Sequence, residues 1–312
     1  SAAVVLFTTV EDSEPESSRV EALYLMSRAM DELGRLDDEI HYLIMAQQLT
    51  PDAPYADDVR YEYARILLRT GNIENCLSVA DEFKERYRNS PLMPAMMRVT
   101  GECHYKAGKY RQAFNTFSDI RETYPESSAA QEAVLHEGLC LFELDLLGGA
   151  IERFEQYIRL PGGQKNMASA LYHLGISYEK RNQPSMALDM LNRLVLTYPA
   201  YPGIDRIHFR IGELSYRTGN YHEAENAFEN YVFNATDDDE LRHEALYYLE
   251  RIKFQTGRYS SEAEIAENFI ARYPDSPRTP QTLFDLARYY RVKGPVNLAI
   301  EKYKILMNNE LY

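Results

Sequence analysis

One spacing constrains this chain more than any other feature: residues that favour tight turns recur every 37 positions. The turn positions are Gly34, Gly71, Gly108, Asp145, Asn182, Gly219, Gly257 and Gly294. Six of the seven steps are 37 residues, and the step from 219 to 257 is 38. Asp and Asn tolerate turn conformations almost as well as Gly, so the series is unbroken. A fixed period of this length indicates stacked structural repeats rather than a globular domain.

Each unit has the pattern of a helical hairpin. Seven residues before the turn the side chain is small in most units: Ser27, Ala64, Gly101, Gly138, Gly175, Gly212 and Ala287, with Glu250 as the exception. Nine residues after the turn stand bulky side chains such as Phe117, Phe154, Leu191 and Phe228. Seventeen after it, four units have a proline that stops the second helix: Pro51, Pro125, Pro199 and Pro274. The pattern predicts helix, turn, helix and stop.

A single hairpin leaves one apolar face uncovered, so we expect the units to stack into one all-α solenoid. We predict a tail over residues 1–18 and a solenoid over residues 19–312. The eight expected units span about residues 19–52, 56–89, 93–126, 130–163, 167–200, 204–237, 241–275 and 279–312.

The order of small residue, Gly-Asn-Tyr turn, alanine, aromatic residue and proline resembles the tetratricopeptide repeat. The resemblance is clearest from Gly212 to Phe228 and from Gly101 to Pro125. It implies a right-handed superhelical solenoid of about eight hairpins. The longer links, such as Tyr273-Pro-Asp-Ser-Pro, are similar to a long-repeat subgroup that includes BamD-like and YbgF (CpoB)-like bacterial envelope proteins. The chain has more repeats than a BamD-like protein and lacks the heptad region of the YbgF type.

In this family the first helix of each hairpin lines a concave groove. The matching positions, ten, six, three and two residues before each turn, are rich in aromatic residues and arginine. The candidate partner-binding residues are Tyr24, Arg28, Tyr61, Arg65, Arg69, Arg98, Tyr105, Phe142, Tyr172, Phe209, Tyr216, Arg217, Tyr247, Arg251, Phe254, Phe284, Arg288 and Arg291. Tyr and Arg are enriched at binding hot spots because they combine contact area with directed hydrogen bonds.

The predicted groove carries arginine inside an acidic protein, whose formal net charge is −14. We therefore expect it to bind an extended or helical protein segment with acidic and apolar side chains. The alternative is that these aromatic residues only pack helix against helix. The lysine and asparagine of the family's carboxylate clamp are absent, so a chaperone C-terminus is not the expected ligand. The acidic charge also argues against a nucleic-acid partner.

Catalytic and cofactor signals are weak, and we predict no catalytic residue, cofactor or metal. No nucleotide-binding loop, nucleophile elbow or zinc-protease motif occurs in the sequence. One Cys/His set invites a metal hypothesis, because Cys103, His136, Cys140 and His173 occupy related positions in successive units. Its alternative is that the cysteines fill small core positions.

The sequence thus predicts a non-catalytic scaffold or adaptor, with the periplasm or outer membrane as its expected location and the cytoplasm as the alternative. No apolar run is long enough for a membrane-spanning helix, so membrane association would come through a partner. Competing hypotheses are a peptide-sensing regulatory receptor and a fragment of a larger secretion or motility machine. The apolar residues of the C-terminal hairpin, with Val296 and Ile300 on its second helix, predict either self-association or a truncated boundary at this end.

Overall fold

Helices are the regular elements of the residues that the computed structural model describes, which are 16–49, 53–161, 165–236, 239–258 and 261–308; no strand occurs within these ranges. The helices before residue 160 are α1 (Glu16–Glu32), α2 (Leu36–Gln47), α3 (Ala56–Arg69), α4 (Ile73–Arg86), α5 (Met93–Lys106), α6 (Tyr110–Thr123), α7 (Ser128–Glu143) and α8 (Leu147–Arg159). Those after it are α9 (Met167–Lys180), α10 (Pro184–Thr197), α11 (Ile204–Arg217), α12 (Tyr221–Asn234), α13 (Glu240–Gln255), α14 (Glu262–Arg272), α15 (Thr279–Lys293) and α16 (Val296–Asn308). The all-α prediction is confirmed.

The helices form two compact units, one ending at Ala170 and the other beginning at Leu171, within α9. In the first unit each helix from α1 to α8 packs against the next, and α1, α3, α5 and α7 also contact one another in succession. In the second unit α10 to α16 pack in the same serial way, and α11 contacts α13. The first helix begins at Glu16, so the last three residues of the predicted 1–18 tail are helical.

The turns lie where the 37-residue period predicts them. Five of the turn glycines have φ between +69° and +80°, and Asp145 and Asn182 have φ of +57° and +56°. Only Gly, Asn and Asp visit this left-handed region routinely. Gly294 differs, with φ of −126° and extended backbone, because Pro295 follows it and favours extended over helical backbone in the preceding residue.

The prolines end the second helices as predicted. α6, α10 and α14 stop at Thr123, Thr197 and Arg272, two residues before Pro125, Pro199 and Pro274. The intervening tyrosine has φ near −130° in all three links. Pro51 lies outside the described residues. None of the helices in the described ranges is both long and apolar enough to cross a membrane.

The small residues before the turns allow an aromatic ring of the second helix to lie against the backbone of the first. A Cβ built on Gly101, Gly138 or Gly212 would come within 2.6–2.8 Å of the Phe117, Phe154 or Phe228 ring, respectively. These phenylalanines are fully buried. The pairs are those predicted from the offsets of seven before and nine after the turn. They fix the distance between the two helices of a hairpin.

Glu250 is the exception seven residues before the turn, where other units have a small residue. Its carboxylate is buried and held by ion pairs. Its Oε1 atom accepts hydrogen bonds from Lys253 Nζ at 2.7 Å and Arg272 Nη1 at 2.8 Å. A buried carboxylate is tolerated only when it is paired in this way.

We predict that Gly212→Ala lowers the free energy of unfolding. The new Cβ would lie 2.8 Å from the Phe228 ring, and overpacking of this kind costs about 1–3 kcal/mol. Alanine recovers at most about 1 kcal/mol of helix propensity. Urea denaturation measures the difference, with Gly148→Ala on the exposed start of α8 as the control. Unchanged or higher stability in Gly212→Ala, relative to that control, would contradict the contact.

Candidate functional site

The predicted partner-binding residues of the first unit begin on α1, where Tyr24 is 8% exposed. Its ring stacks on Tyr55 with centroids 5.6 Å apart, and its hydroxyl accepts a hydrogen bond from Arg28 Nη1 at 3.3 Å. Tyr24 therefore belongs mainly to the core, whereas Arg28 is exposed.

The two predicted arginines of α3, Arg65 and Arg69, are paired with carboxylates. Arg65 lies 2.5 Å from Glu62 and 5.8 Å from the Tyr61 ring centroid. Arg69 bridges to Asp31 at 3.1 Å and to Glu39 at 2.8 Å. The carboxylate of Glu39 is buried, so this pair ties α3 to α2 rather than leaving a free cation on the surface.

Arg98 on α5 has carboxylate partners both on its own helix and on α7. It forms an ion pair with Glu102, and its Nε lies 3.5 Å from Glu132 on α7. Tyr105, also on α5, donates to Glu143 Oε1 at 3.2 Å, while Phe142 is half-buried. The arginine-rich face of the first unit is therefore largely neutralised by its own acidic residues.

In the second unit, two predicted residues, Tyr172 and Phe209, line a cleft of about 610 Å³ that we name the Tyr172 cleft. It lies among the middle of α9, the loop before α11, α11 itself and the start of α13. Its lining consists of Tyr172, Tyr201, Pro202, Gly203, Arg206, Ile207, Phe209, Arg210, Glu213 and Leu241. The Tyr172 and Tyr201 ring centroids lie 6.0 Å apart, so the two rings present adjoining aromatic surfaces.

Charge in the Tyr172 cleft is only partly compensated. Arg210 Nη1 pairs with Glu179 Oε2 at 2.8 Å. Burial raises the pKa of Glu213, and the nearby Glu179 carboxylate raises it further. Arg206 is exposed and forms no ion pair with a carboxylate of the described residues. The cleft thus combines aromatic walls with a cation available to a ligand.

Phe209 contributes to this cleft as part of its wall. It is 6% exposed, and its ring packs edge-on against Phe228 and Tyr231 with centroids 5.6 and 5.2 Å apart. Replacing a buried phenylalanine by alanine costs about 3–5 kcal/mol. Tyr172, which is half-buried, is therefore the better position at which to test binding.

A smaller cleft of about 210 Å³, the Tyr247 cleft, lies among α13, α14 and α15. Three predicted residues line it, Tyr247, Arg251 and Phe254. Arg278 lies 4.0 Å from the Tyr247 ring centroid, and Arg251 lies 5.4 Å from that of Tyr216. In these cation–π contacts, arginines of the protein itself already cover the two tyrosine rings.

The remaining predicted residues are exposed at helix surfaces: Arg217, Phe284, Arg288 and Arg291. Phe284 contacts Tyr303 of α16 with ring centroids 6.0 Å apart. Val296 and Ile300 on α16 are more than half exposed, at 58% and 51%. Self-association through this hairpin stays a prediction.

Several cleft residues lie outside the predicted set, among them Tyr201, Arg206 and Arg210. Arg210 stands nine residues before its turn, and so does Asp285 in the Tyr247 cleft. Because both residues share this offset, the repeat pattern could have predicted that they line a cleft. Tyr201 belongs to the link between hairpins, where the repeat offsets carry no information about direction.

The Cys/His set does not assemble as the metal hypothesis requires. The His136 ring stacks on Phe117 with centroids 4.7 Å apart, and its Nε2 lies 3.8 Å from Glu102. Cys103 lies beside Cys76, with their sulfur atoms 2.8 Å apart. Throughout the described ranges, no group of three His, Cys, Asp or Glu residues is placed to hold a metal ion.

We predict that His136 makes stability depend on pH. Burial, and then the charge of Arg98, lowers the pKa of His136 to about 4. The folded-state pKa lies below the unfolded value of about 6.5, so the unfolded chain takes up the proton first as the pH falls. The free energy of unfolding is therefore unaffected by His136 above pH 6.5 and decreases as the pH falls towards 4. The loss amounts to about 3 kcal/mol for this shift.

The measurement is urea denaturation of the wild type and His136→Phe at several pH values between 7 and 4. Phenylalanine keeps an aromatic ring against Phe117 but has no titrating group. We expect the wild type to lose more stability than the variant over this range, and parallel curves would contradict the assignment.

Parts of the chain match models of a known repeat family. Two tetratricopeptide-repeat family models match the chain, one over residues 100–127 and 169–201 and the other over residues 209–277. These segments include the Gly101–Phe117 and Gly212–Phe228 contacts described above. No curated protein sequence matches the chain.

Solved structures show the same fold. A tetratricopeptide repeat protein from Parabacteroides merdae has a TM-score of 0.53 and 16% identity, over 93% of this chain and 100% of that one. The C-terminal part of a repeat-containing protein from Cytophaga hutchinsonii has a TM-score of 0.57 and 14% identity, over 80% and 96%. The predicted tetratricopeptide-repeat fold is therefore confirmed, while the long-repeat subgroup stays a prediction.

Proposed function

Since the chain is built from tetratricopeptide-repeat hairpins, we propose that it is a non-catalytic scaffold that holds a segment of a partner protein. Tetratricopeptide repeats generally mediate protein–protein interactions, and their scaffolds are generally non-catalytic. The observation that carries the proposal is the Tyr172 cleft, in which two adjoining tyrosine rings lie beside Arg206, an arginine that pairs with no carboxylate of the described residues.

The chemistry of this cleft defines the partner segment. Tyr172 and Tyr201 offer flat aromatic surfaces that pack against apolar or aromatic side chains. Arg206 offers a planar cation suited to a carboxylate. An extended segment that combines an acidic residue with a neighbouring apolar residue satisfies both groups.

The first unit is less suited to recognise an acidic segment. Arg65, Arg69 and Arg98 are already paired with carboxylates of the same unit. A ligand carboxylate would have to displace an existing ion pair at each of them, so it would gain little free energy. We therefore propose that the second unit binds the acidic partner segment.

The test starts from short random peptides displayed on a surface and selected on the immobilised whole chain. We expect selected sequences to be enriched in Asp or Glu next to aromatic or aliphatic residues. In fluorescence titration of a selected peptide, Tyr172→Ala and Arg206→Glu should each weaken binding by about tenfold or more, equivalent to about 1.4 kcal/mol.

The control variant is Arg193→Glu, which makes the same charge change on an exposed position of α10 outside the cleft. It should leave the affinity nearly unchanged, because salt screens the interaction between this distant charge and the peptide. Equal loss of affinity in Arg193→Glu and Arg206→Glu would show that only the net charge of the protein matters, and it would contradict the cleft proposal. Circular dichroism checks that all three variants keep their helices.

We further propose that the protein acts in the bacterial cell envelope. Its support is the Tyr-Pro-x-Ser type of link, seen at Tyr124 and Tyr273, which is similar to the links of BamD-like and YbgF-like proteins. In cells of the source organism, we expect an antibody to detect the native protein in periplasmic or outer-membrane fractions. Detection only with a cytoplasmic marker enzyme would rule this location out.

A further inference from the structure

Two cysteines meet at the junction of the second and third hairpins. Cys76 lies on α4 and Cys103 on α5, and both side chains are completely buried. Their Sγ atoms are 2.8 Å apart, and the Cys76 thiol donates to the Ala64 carbonyl oxygen at 3.2 Å. Through these contacts the two sulfur atoms connect three successive helices, α3, α4 and α5, without a covalent bond between them.

The sulfur–sulfur distance is much shorter than an ordinary contact. Even carbon atoms settle about 3.5–4.0 Å apart when they are not bonded, and sulfur is larger. A disulfide bond is about 2.05 Å long, so a displacement of under about 1 Å would bring the two atoms to bonding distance. Packing of α4 against α5 thus places the thiols as a preformed pair.

We propose that Cys76 and Cys103 form an intrachain disulfide, a covalent site that joins the second hairpin to the third. The oxidant is a small-molecule disulfide such as oxidised glutathione. One cysteine thiolate attacks it, forming a mixed disulfide and releasing one glutathione thiolate. The second cysteine thiolate then displaces the other glutathione, so two protein thiols are oxidised, one small-molecule disulfide is reduced, and the two protons end on the two released glutathione thiolates.

Cys76 is the cysteine that attacks first. The Cys103 thiol donates a hydrogen bond to the Cys76 sulfur, which lowers the pKa of Cys76 and raises that of Cys103. Because thiolate is the nucleophile in exchange, Cys76 has the higher reactive fraction. Both sulfurs are buried, so exchange takes place during folding or local opening of α4 and α5.

The third cysteine provides a natural comparison. Cys76 stands five residues after one turn and Cys103 five residues before the next, and in the following unit the same two positions hold Ala113 and Cys140. Ala113 and Cys140 pack in one buried cluster. Cys140 therefore has an alanine where Cys103 has a cysteine, and burial raises its pKa to about 12.

The experiment refolds the whole chain from urea in a mixture of reduced and oxidised glutathione. Remaining thiols are then blocked under denaturing conditions and the chain is digested with trypsin. Cys76, Cys103 and Cys140 fall in three different tryptic peptides. We expect mass spectrometry to find the Cys76 and Cys103 peptides linked, with a loss of two hydrogens, and the Cys140 peptide blocked as a free thiol.

Oxidation of the chain kept in urea is the matched control, because it should yield a mixture of the three possible pairs. The proposal is overturned if the refolded chain shows the same mixture, carries three free thiols or carries only glutathione adducts. A link that includes Cys140 as the main product would also overturn it.

Stability provides a second measurement. A disulfide that closes the loop from Cys76 to Cys103 should raise Tm by about 5–10 °C over the reduced form. Cys76→Ala should abolish this difference yet fold, because Ala113, Ala150, Ala187 and Ala224 occupy the equivalent positions. Equal sensitivity of Tm to reductant in Cys76→Ala and wild type would contradict the cross-link.

Discussion

The contact between a glycine of the first helix and an aromatic ring of the second sets the geometry on which the other features depend. At Gly101, Gly138 and Gly212 the ring lies where a Cβ would be, so the two helix axes come close enough to share one buried layer. Close hairpins leave their first helices side by side in succession, as α1, α3, α5 and α7 are. The hairpins α5–α6, α7–α8 and α11–α12 have this spacing, and α11 also lines the Tyr172 cleft.

The periodic part of the fold was predictable because each repeat obeys the same local rules. Asp145 and Asn182 occupy left-handed turns that the spacing alone assigned to them, and the prolines stop the helices that they were expected to stop. Gly294 departs from its series for an equally local reason, the proline that follows it. Glu250 could not be anticipated in the same way, since its burial depends on Lys253 and Arg272 supplying compensating charge.

The candidate site was less predictable because an offset within the repeat does not determine exposure. Tyr172, Phe209 and Phe284 share one offset, yet the first is half-buried, the second is buried and the third is exposed. Their surroundings come from neighbouring helices and links, which differ between units. The same applies to charge: Arg69 was recognisable as a groove residue, but its partners Asp31 and Glu39 belong to the preceding hairpin.

Distinctive chemistry arises where one repeat departs from its neighbours while the backbone stays the same. A cysteine replaces the usual alanine five residues after the turn only at Cys76, and this single departure gives Cys103 a sulfur partner that Cys140 lacks. Arg206 is likewise a local departure, since the position thirteen residues before a turn holds an arginine in this unit alone. A repeated scaffold thus keeps its stability in the common positions and can vary its recognition and redox properties at single residues, because each side chain contacts only adjacent hairpins.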